Sequence, residues 1–261
     1  MRSVRALAHQ VGYGMLGGYQ DYRALHTWRS WLFGWLVRLL CQVLFFSMVG
    51  QAIGSDDAQR YMALGNAVIL GPIGAFGVVS SSVGERRGGT LQFLLLSRNG
   101  PFPALLSRGL YWAADAIVTS CAALVFVRLL VDVPLPVPPV CLLLQVLVSL
   151  SGYSLALALA GVSLRWPESR MYLTSGAGLL LMTLAGVNTP PPHSGVAGAV
   201  ASVLPATHGL HAMRTAAAGG GVPLTAVLAE CGVLLLWGAV GWLALTGSLR
   251  YQVRAGTLNL R

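Results

Sequence analysis

The sequence contains no lysine, and all 17 of its basic residues are arginine. A phosphate-cradling P-loop requires a lysine that reaches the β- and γ-phosphates. ATP binding of that kind is therefore excluded from this chain. Charge of either sign is scarce as well. Acidic residues number 8, and charged residues make up 10% of the chain, where a water-soluble domain carries roughly a quarter. The four cysteines (Cys41, Cys121, Cys141 and Cys231) stand far apart and mostly within apolar runs. That spacing offers no zinc site and reads as small buried side chains. Catalytic constellations are missing too: the chain has no HExxH, no Ser/His/Asp set and no carboxylate pair on one helix face. Ser80, Ser81 and Ser82 read as packing groups rather than nucleophiles.

What the chain does hold is apolar surface. Hydrophobic residues make up 55% of it, and the mean hydropathy is +0.69. A spanning helix needs about 20 mainly apolar residues. Six stretches qualify: 33–54, 61–83, 109–131, 137–164, 171–189 and 224–247. The expected fold is an all-α polytopic membrane protein, a single transmembrane domain over 1–261. Within 61–83, Gly71–Pro72 with Gly74 and Gly77 predicts a kink. The stretch 190–221 is broken by Pro190, Pro191, Pro192, Pro205 and the glycines 219–221. It reads as short re-entrant or surface helices before the last span. Residues 1–20 contain Arg2, Arg5, His9 and Gln10 and lack the apolar run of a signal peptide.

Arginine placement sets the orientation. With six spans, one side of the membrane carries only Arg60, Arg128 and Arg214 of the 17. Positive residues stay inside, so both termini and the tail 248–261 are expected in the cytosol, at the plasma membrane. A net charge of +9 would point to nucleic acid in a soluble protein. Here it follows from the cytosolic arginines, and no nucleic-acid partner is expected.

Two cytosolic stretches stand out. Over 19–35, Tyr19, Tyr22, Leu25, Trp28, Trp31, Leu32 and Trp35 recur at three- and four-residue steps, which predicts an amphipathic helix lying in the lipid headgroups. Over 84–103, Glu85 and Arg86 mark the exit of the second span. Gly88 and Gly89 allow a turn, Thr90 can cap a short helix through Leu96, and Asn99, Gly100, Pro101 and Pro103 stop it. A short amphipathic helix held on two turns suits docking into a groove.

Ionisable groups at membrane depth face a cavity or a partner. For Asp115 and Glu230 two readings stay open: substrate contact or gating, and a hydrogen bond to a neighbouring helix. His208 and His211 share a helical face but lack a third ligand, so no metal is expected.

The run 85–97 resembles the signature of the ABC type-2 permease family, the membrane subunits of ATP-driven exporters, which reads E-R-E-x-G-T-L-E-x-L-L-x-S-P. Glu85, Arg86, Gly89, Thr90, Leu91, Leu94, Leu95 and Ser97 match in order. Arg87, Gln92 and Arg98 depart from it. Residues 204–214 are similar to the family's L-P-x-T-x-x-x-x-A-x-R before the last span, ending on Arg214. The resemblance implies a type V ABC exporter-like architecture, with the eight matched residues of 85–97 coupling to a separate ABC ATPase that holds the ATP and Mg. No cofactor is implied in this chain. It also implies a second permease subunit, identical or paralogous, with span one of one subunit against span five of the other. Gly50 and Gly54 (a GxxxG), Ser175, Gly176 and Gly178 are the candidate contacts. Asp115, Glu230 and Arg214 are candidates for the substrate path or gate. The apolar spans suit a hydrophobic or amphipathic cargo, as in drug or antibiotic efflux. A second class of reading, an ATPase-independent channel or an assembly or immunity subunit, fits the topology but leaves 85–97 unexplained.

Overall fold

The computed structural model describes residues 2–91, 102–130 and 137–255. Among these residues the regular structure is all helical, with no strand. In chain order the α-helices are α1 (Arg2–Leu25), α2 (Val37–Ala52), α3 (Asp56–Gly74), α4 (Gly77–Arg87), α5 (Phe102–Leu130), α6 (Val140–Arg165), α7 (Arg170–Leu184), α8 (Gly195–Val203), α9 (Thr207–Ala217) and α10 (Leu224–Ala255). A π-helical stretch, Ser30–Leu36, leads directly into α2. Among the described residues five segments are long and apolar enough to cross a membrane: Ser30–Ala52, α3 with α4, α5, α6 and α10. The chain is thus a membrane-embedded helical protein. The stretch predicted as span five forms a helix of only 15 residues, roughly 22 Å at 1.5 Å per residue. It gives way at Ala185 to the non-helical residues before Pro190.

Helix α6 is the axis of the bundle, packing against α3, α4, α5, α7, α9 and α10. Its sequence is apolar on every side, as a central helix requires. Before the exposed Arg165 that ends it, its glutamine and serines (Gln145, Ser149, Ser151, Ser154 and Ser163) are all buried. Small residues let its neighbours approach. A Cβ at Gly161 would lie 2.6 Å from the Ala244 backbone of α10, and one at Gly152 would collide with Pro72 Cα of α3. The periphery is lipid-like in character, with Phe33, Phe45, Leu143 and Leu235 each at least 60% exposed.

The predicted kink is present: the second span breaks at Ala75–Phe76 between α3 and α4. Pro72 has no N–H to return to the carbonyl of residue 68, four positions earlier. Gln145 of α6 fills that role, its side-chain amide donating to Val68 O at 3.1 Å. The acceptor freed by proline is thus satisfied in a place no water reaches.

Two expectations are corrected. The predicted interfacial helix 19–35 is not one element: α1 ends at Leu25, and Trp28 to Trp35 belong to the entrance of the first span. The reason is a reciprocal cap, in which Thr27 N–H donates to Ser30 Oγ (2.9 Å) and Ser30 N–H to Thr27 Oγ1 (3.3 Å). Next, Gly50 and Gly54 do not form an open pairing face. Gly50 is buried against α3, where a Cβ would lie 2.6 Å from Gln59 Cα. Gly54, at φ +79, ends the helix in the left-handed conformation. The stretch read as the start of the tail, residues 248–255, is helical. Helix α10 runs on to Ala255 because Ser248 Oγ donates to Gly161 O (2.5 Å) and Gln252 Nε2 to Leu164 O (2.8 Å).

Candidate functional site

The arginine-rich end of the bundle is tied together by the acid–base pair that closes α4. Glu85 and Arg86 are both buried, 6% and 5% exposed. Glu85 Oε1 lies 2.6 Å from Arg108 Nη2 of α5, and its other oxygen accepts from the Thr90 hydroxyl. Arg108 reaches on to α1, with Nη2 2.5 Å and Nε 2.7 Å from Asp21 Oδ2. A guanidinium shared between two carboxylates in this way is charge-assisted and directional. Arg86 turns the other way, donating to the carbonyls of Leu164 and Arg165 at the end of α6. The neighbouring Arg87 meets Glu168 at 3.2 Å. Helices α1, α4, α5 and α6 therefore converge where the chain leaves α4.

Of the eight residues expected to couple to an ATPase, Glu85, Arg86, Gly89, Thr90 and Leu91 lie within this junction. Leu94, Leu95 and Ser97 lie outside the described residues. Leu91, expected on a docking face, is 0% exposed and packs in the hydrophobic core. It anchors the segment to the bundle, and the exposed positions here are Gly84, Arg87, Gly88 and Thr90. Gly89 adopts φ +70, a conformation that favours glycine, so the sharp turn read from the sequence is real.

Residues that sequence reasoning passed over complete this end. Gly14 and Gly18 of α1 lie against α5, where added Cβ atoms would collide with Ser107 Oγ and Arg108 O. A G-x-x-x-G at 14–18 was the available signal. Farther along α5, Asp115 Oδ1 accepts from Tyr22 Oη and Trp31 Nε1, each at 2.6 Å. Asp115 thus holds α1 and the entrance of span one against α5. A cavity of about 1030 Å³ adjoins it, lined by Tyr19, Arg23, Trp28 and Tyr111 among others. Burial, then the bond to the Asp115 carboxylate, pushes the Tyr22 phenol well above its ordinary range.

Glu230 of α10 is 0% exposed near the opposite end. Its Oε1 accepts from Ala206 N–H and Oε2 from Gly209 N–H, both at 3.0 Å, and Ser151 of α6 donates to Oε1. Ala206 has φ +75, and α9 begins one residue later. The carboxylate therefore caps α9 where helix N–H groups and dipole favour an anion. This gives the 204–209 run a physical meaning: a left-handed turn that aims two amides at one buried acid. The hydrogen-bonding reading of both Asp115 and Glu230 is what the geometry displays. Arg214, on the same helix, donates to Tyr61 O and Val187 O (3.2 Å each), with its Cζ 3.4 Å from the Tyr61 ring centroid. His208 Nε2 pairs with Ser202 O at 2.9 Å. Gly176 and Gly178 of α7 stand open: a Cβ added at either would have no atom of another residue within 4 Å.

Comparison with known proteins finds no matching family model, no matching curated protein and no matching solved structure.

Proposed function

We propose that this chain is the membrane-spanning permease subunit of an ATP-driven exporter of the ABC type-2 class. The observation that carries the reading is the junction at 85–91. The described residues of the family-like motif, Glu85 to Leu91, sit where four helices are locked together by Glu85, Arg86 and Arg108. A push on the segment following Leu91 would act on all four at once. The motor is a separate ABC ATPase holding ATP and Mg, because a chain without lysine cannot build a P-loop.

The reading takes six passes through the plasma membrane, with α7 and the residues leading to Pro190 as the fifth, and both termini cytosolic. The second permease packs on the exposed faces of span one and α7. Support for this comes from the first span, whose most apolar window is only 17% buried, and from the open Gly176 and Gly178. The aromatic cavity beside Asp115 faces the cytosolic headgroups and suits a hydrophobic or amphipathic compound arriving from the inner leaflet.

The test is reconstitution. The full chain is purified with whatever P-loop ATPase accompanies it and placed in liposomes, and ATP hydrolysis and cargo uptake are measured together. The chain alone should hydrolyse no ATP. Glu85→Gln should assemble with the ATPase yet move less cargo per ATP. Normal coupling in that variant, or uptake that proceeds without any ATPase, would overturn the proposal.

A further inference from the structure

Arg214 is a half-buried charge with no carboxylate partner. Among the described residues the ion pairs are Arg60–Asp57, Arg87–Glu168 and Arg108 with Asp21 and Glu85, and Arg214 joins none of them. Its Nε is buried and carries no hydrogen bond. Burial pushes its pKa down to about 10, the mark of a cation held away from water without an anion to compensate. It lies between two hollows. One, about 490 Å³, also contains Asp57 and Arg60, whose charges oppose each other at 3.9 Å. The other, about 580 Å³, is bounded by α9, by α8 and by the proline run 190–192, and no carboxylate lines it.

A second observation points to the same hollow. Thr207 also lines the larger cavity. It is 9% exposed, and its hydroxyl has no hydrogen-bond partner. Buried hydroxyls and guanidinium nitrogens are rarely left bare. Here two residues that each hold an unmatched buried donor, one of them cationic, line a single space of the size that ligands occupy. The histidines around it, His193, His208 and His211, add no negative charge.

We propose that the larger cavity binds an anionic oxygen group, a carboxylate or phosphate carried by an amphipathic molecule, on Arg214 and the Thr207 hydroxyl. The group could be delivered by an anionic lipid headgroup or by an acidic amphiphile. The site belongs to this chain alone and does not depend on the exporter reading.

The experiment uses the full chain, stripped of lipid in a neutral maltoside detergent. Native mass spectrometry and thermal shift are recorded with three probes: dihexanoyl phosphatidylglycerol, decanoate and the uncharged decanol. Saturable one-to-one binding of either anionic probe, with decanol failing to compete, is the expected result. Phosphatidylglycerol alone would identify a headgroup site, decanoate alone a carboxylate site, and both together the shared anion chemistry. Arg214→Gln should weaken binding by about tenfold or more, the scale of one charged hydrogen bond. Because that change also strips two carbonyls of their donor, Thr207→Val provides the second arm. It removes a hydroxyl that bonds to nothing, so the ligand-free melting temperature should not fall, while anion binding weakens severalfold. Wild-type affinity in both variants, or equal binding of decanol, would overturn the proposal.

Discussion

Removing the carboxylate of Glu230 should loosen the opposite end of the bundle without touching the arginine-rich end. Three donors converge on it: the Ser151 hydroxyl, Ala206 N–H and Gly209 N–H. Each is buried, so an orphaned donor costs about 1–3 kcal/mol. Glu230→Ala therefore costs roughly 3–6 kcal/mol, moderated by any collapse of the site. Glu230→Gln keeps one oxygen but turns an amide N–H₂ toward a backbone donor, a loss of about 2–4 kcal/mol. Ser151→Ala removes one neutral donor and costs about 1 kcal/mol. The expected order is alanine at 230, then glutamine, then alanine at 151. At about 2–4 °C per kcal/mol for a chain of this size, the glutamine variant should melt on the order of 5–10 °C lower. Trp237 is a built-in reporter, since its indole donates to Val203 O at 2.7 Å beside the cap. Tryptophan fluorescence melting, with protease cutting around 204–217, reads the effect. A glutamine variant with wild-type melting and wild-type protease resistance but impaired transport would refute the capping argument and assign the carboxylate to a ligand.

Gln145→Leu should cost about 1–3 kcal/mol despite adding apolar volume to a core position, because Val68 O loses the donor that replaces the missing Pro72 N–H. Thermal melting checks it, and a stabilised variant would contradict the account of the kink. Gly50→Val should lower melting by several degrees, as its side chain meets α3 backbone. Gly176→Val should leave monomer melting unchanged and, on the proposed pairing of two permease subunits, weaken their association on size-exclusion chromatography. Tyr22 carries an alkaline signature. A folded phenol held above its unfolded value contributes stability in full below about pH 10, and loses it as the pH rises beyond, because only the unfolded chain ionises. Tyr22→Phe should therefore flatten the fall in melting temperature above pH 10, and an unchanged slope would contradict the buried Tyr22–Asp115 bond.

Much of the scaffold was legible because a membrane helix declares itself by local composition. The runs at 33–54, 61–83, 109–131, 137–164 and 224–247 each overlap, among the described residues, a helical segment long and apolar enough to cross a membrane, and Gly71–Pro72 marks a real break. What stayed hidden depends on partners distant in sequence. Gln145 is one more polar residue in an apolar run until Val68 O, 77 positions away, is placed beside it. Glu230 reaches Ala206 across 24 positions, and no spacing rule connects an acid in one helix to the amides that open another. The glycine pattern misled in an instructive way. Both 14–18 and 50–54 read G-x-x-x-G, yet the former packs α1 on α5 while the latter is split between an intrachain contact and a helix end. Spacing records that a close approach is allowed, not which neighbour makes it. The break at Thr27 rests on a Thr27–Ser30 exchange that the aromatic periodicity through Trp35 does not reveal.

The distribution of charge that results is uneven in sign. Each buried or half-buried acid among the described residues is satisfied inside the chain: Asp21 and Glu85 by Arg108, Asp115 by Tyr22 and Trp31, Glu230 by α9 and Ser151. No such carboxylate is left waiting for a cationic ligand. Arg214 is placed differently, its carbonyl and ring contacts supplying partial charge but no full counter-ion. A half-buried cation without an ion-pair partner still carries part of its desolvation cost, and an anion entering beside it would recover much of that cost while a neutral molecule of the same shape would not. Discrimination at this end of the bundle should therefore follow the sign of the charge on the ligand more closely than its apolar bulk.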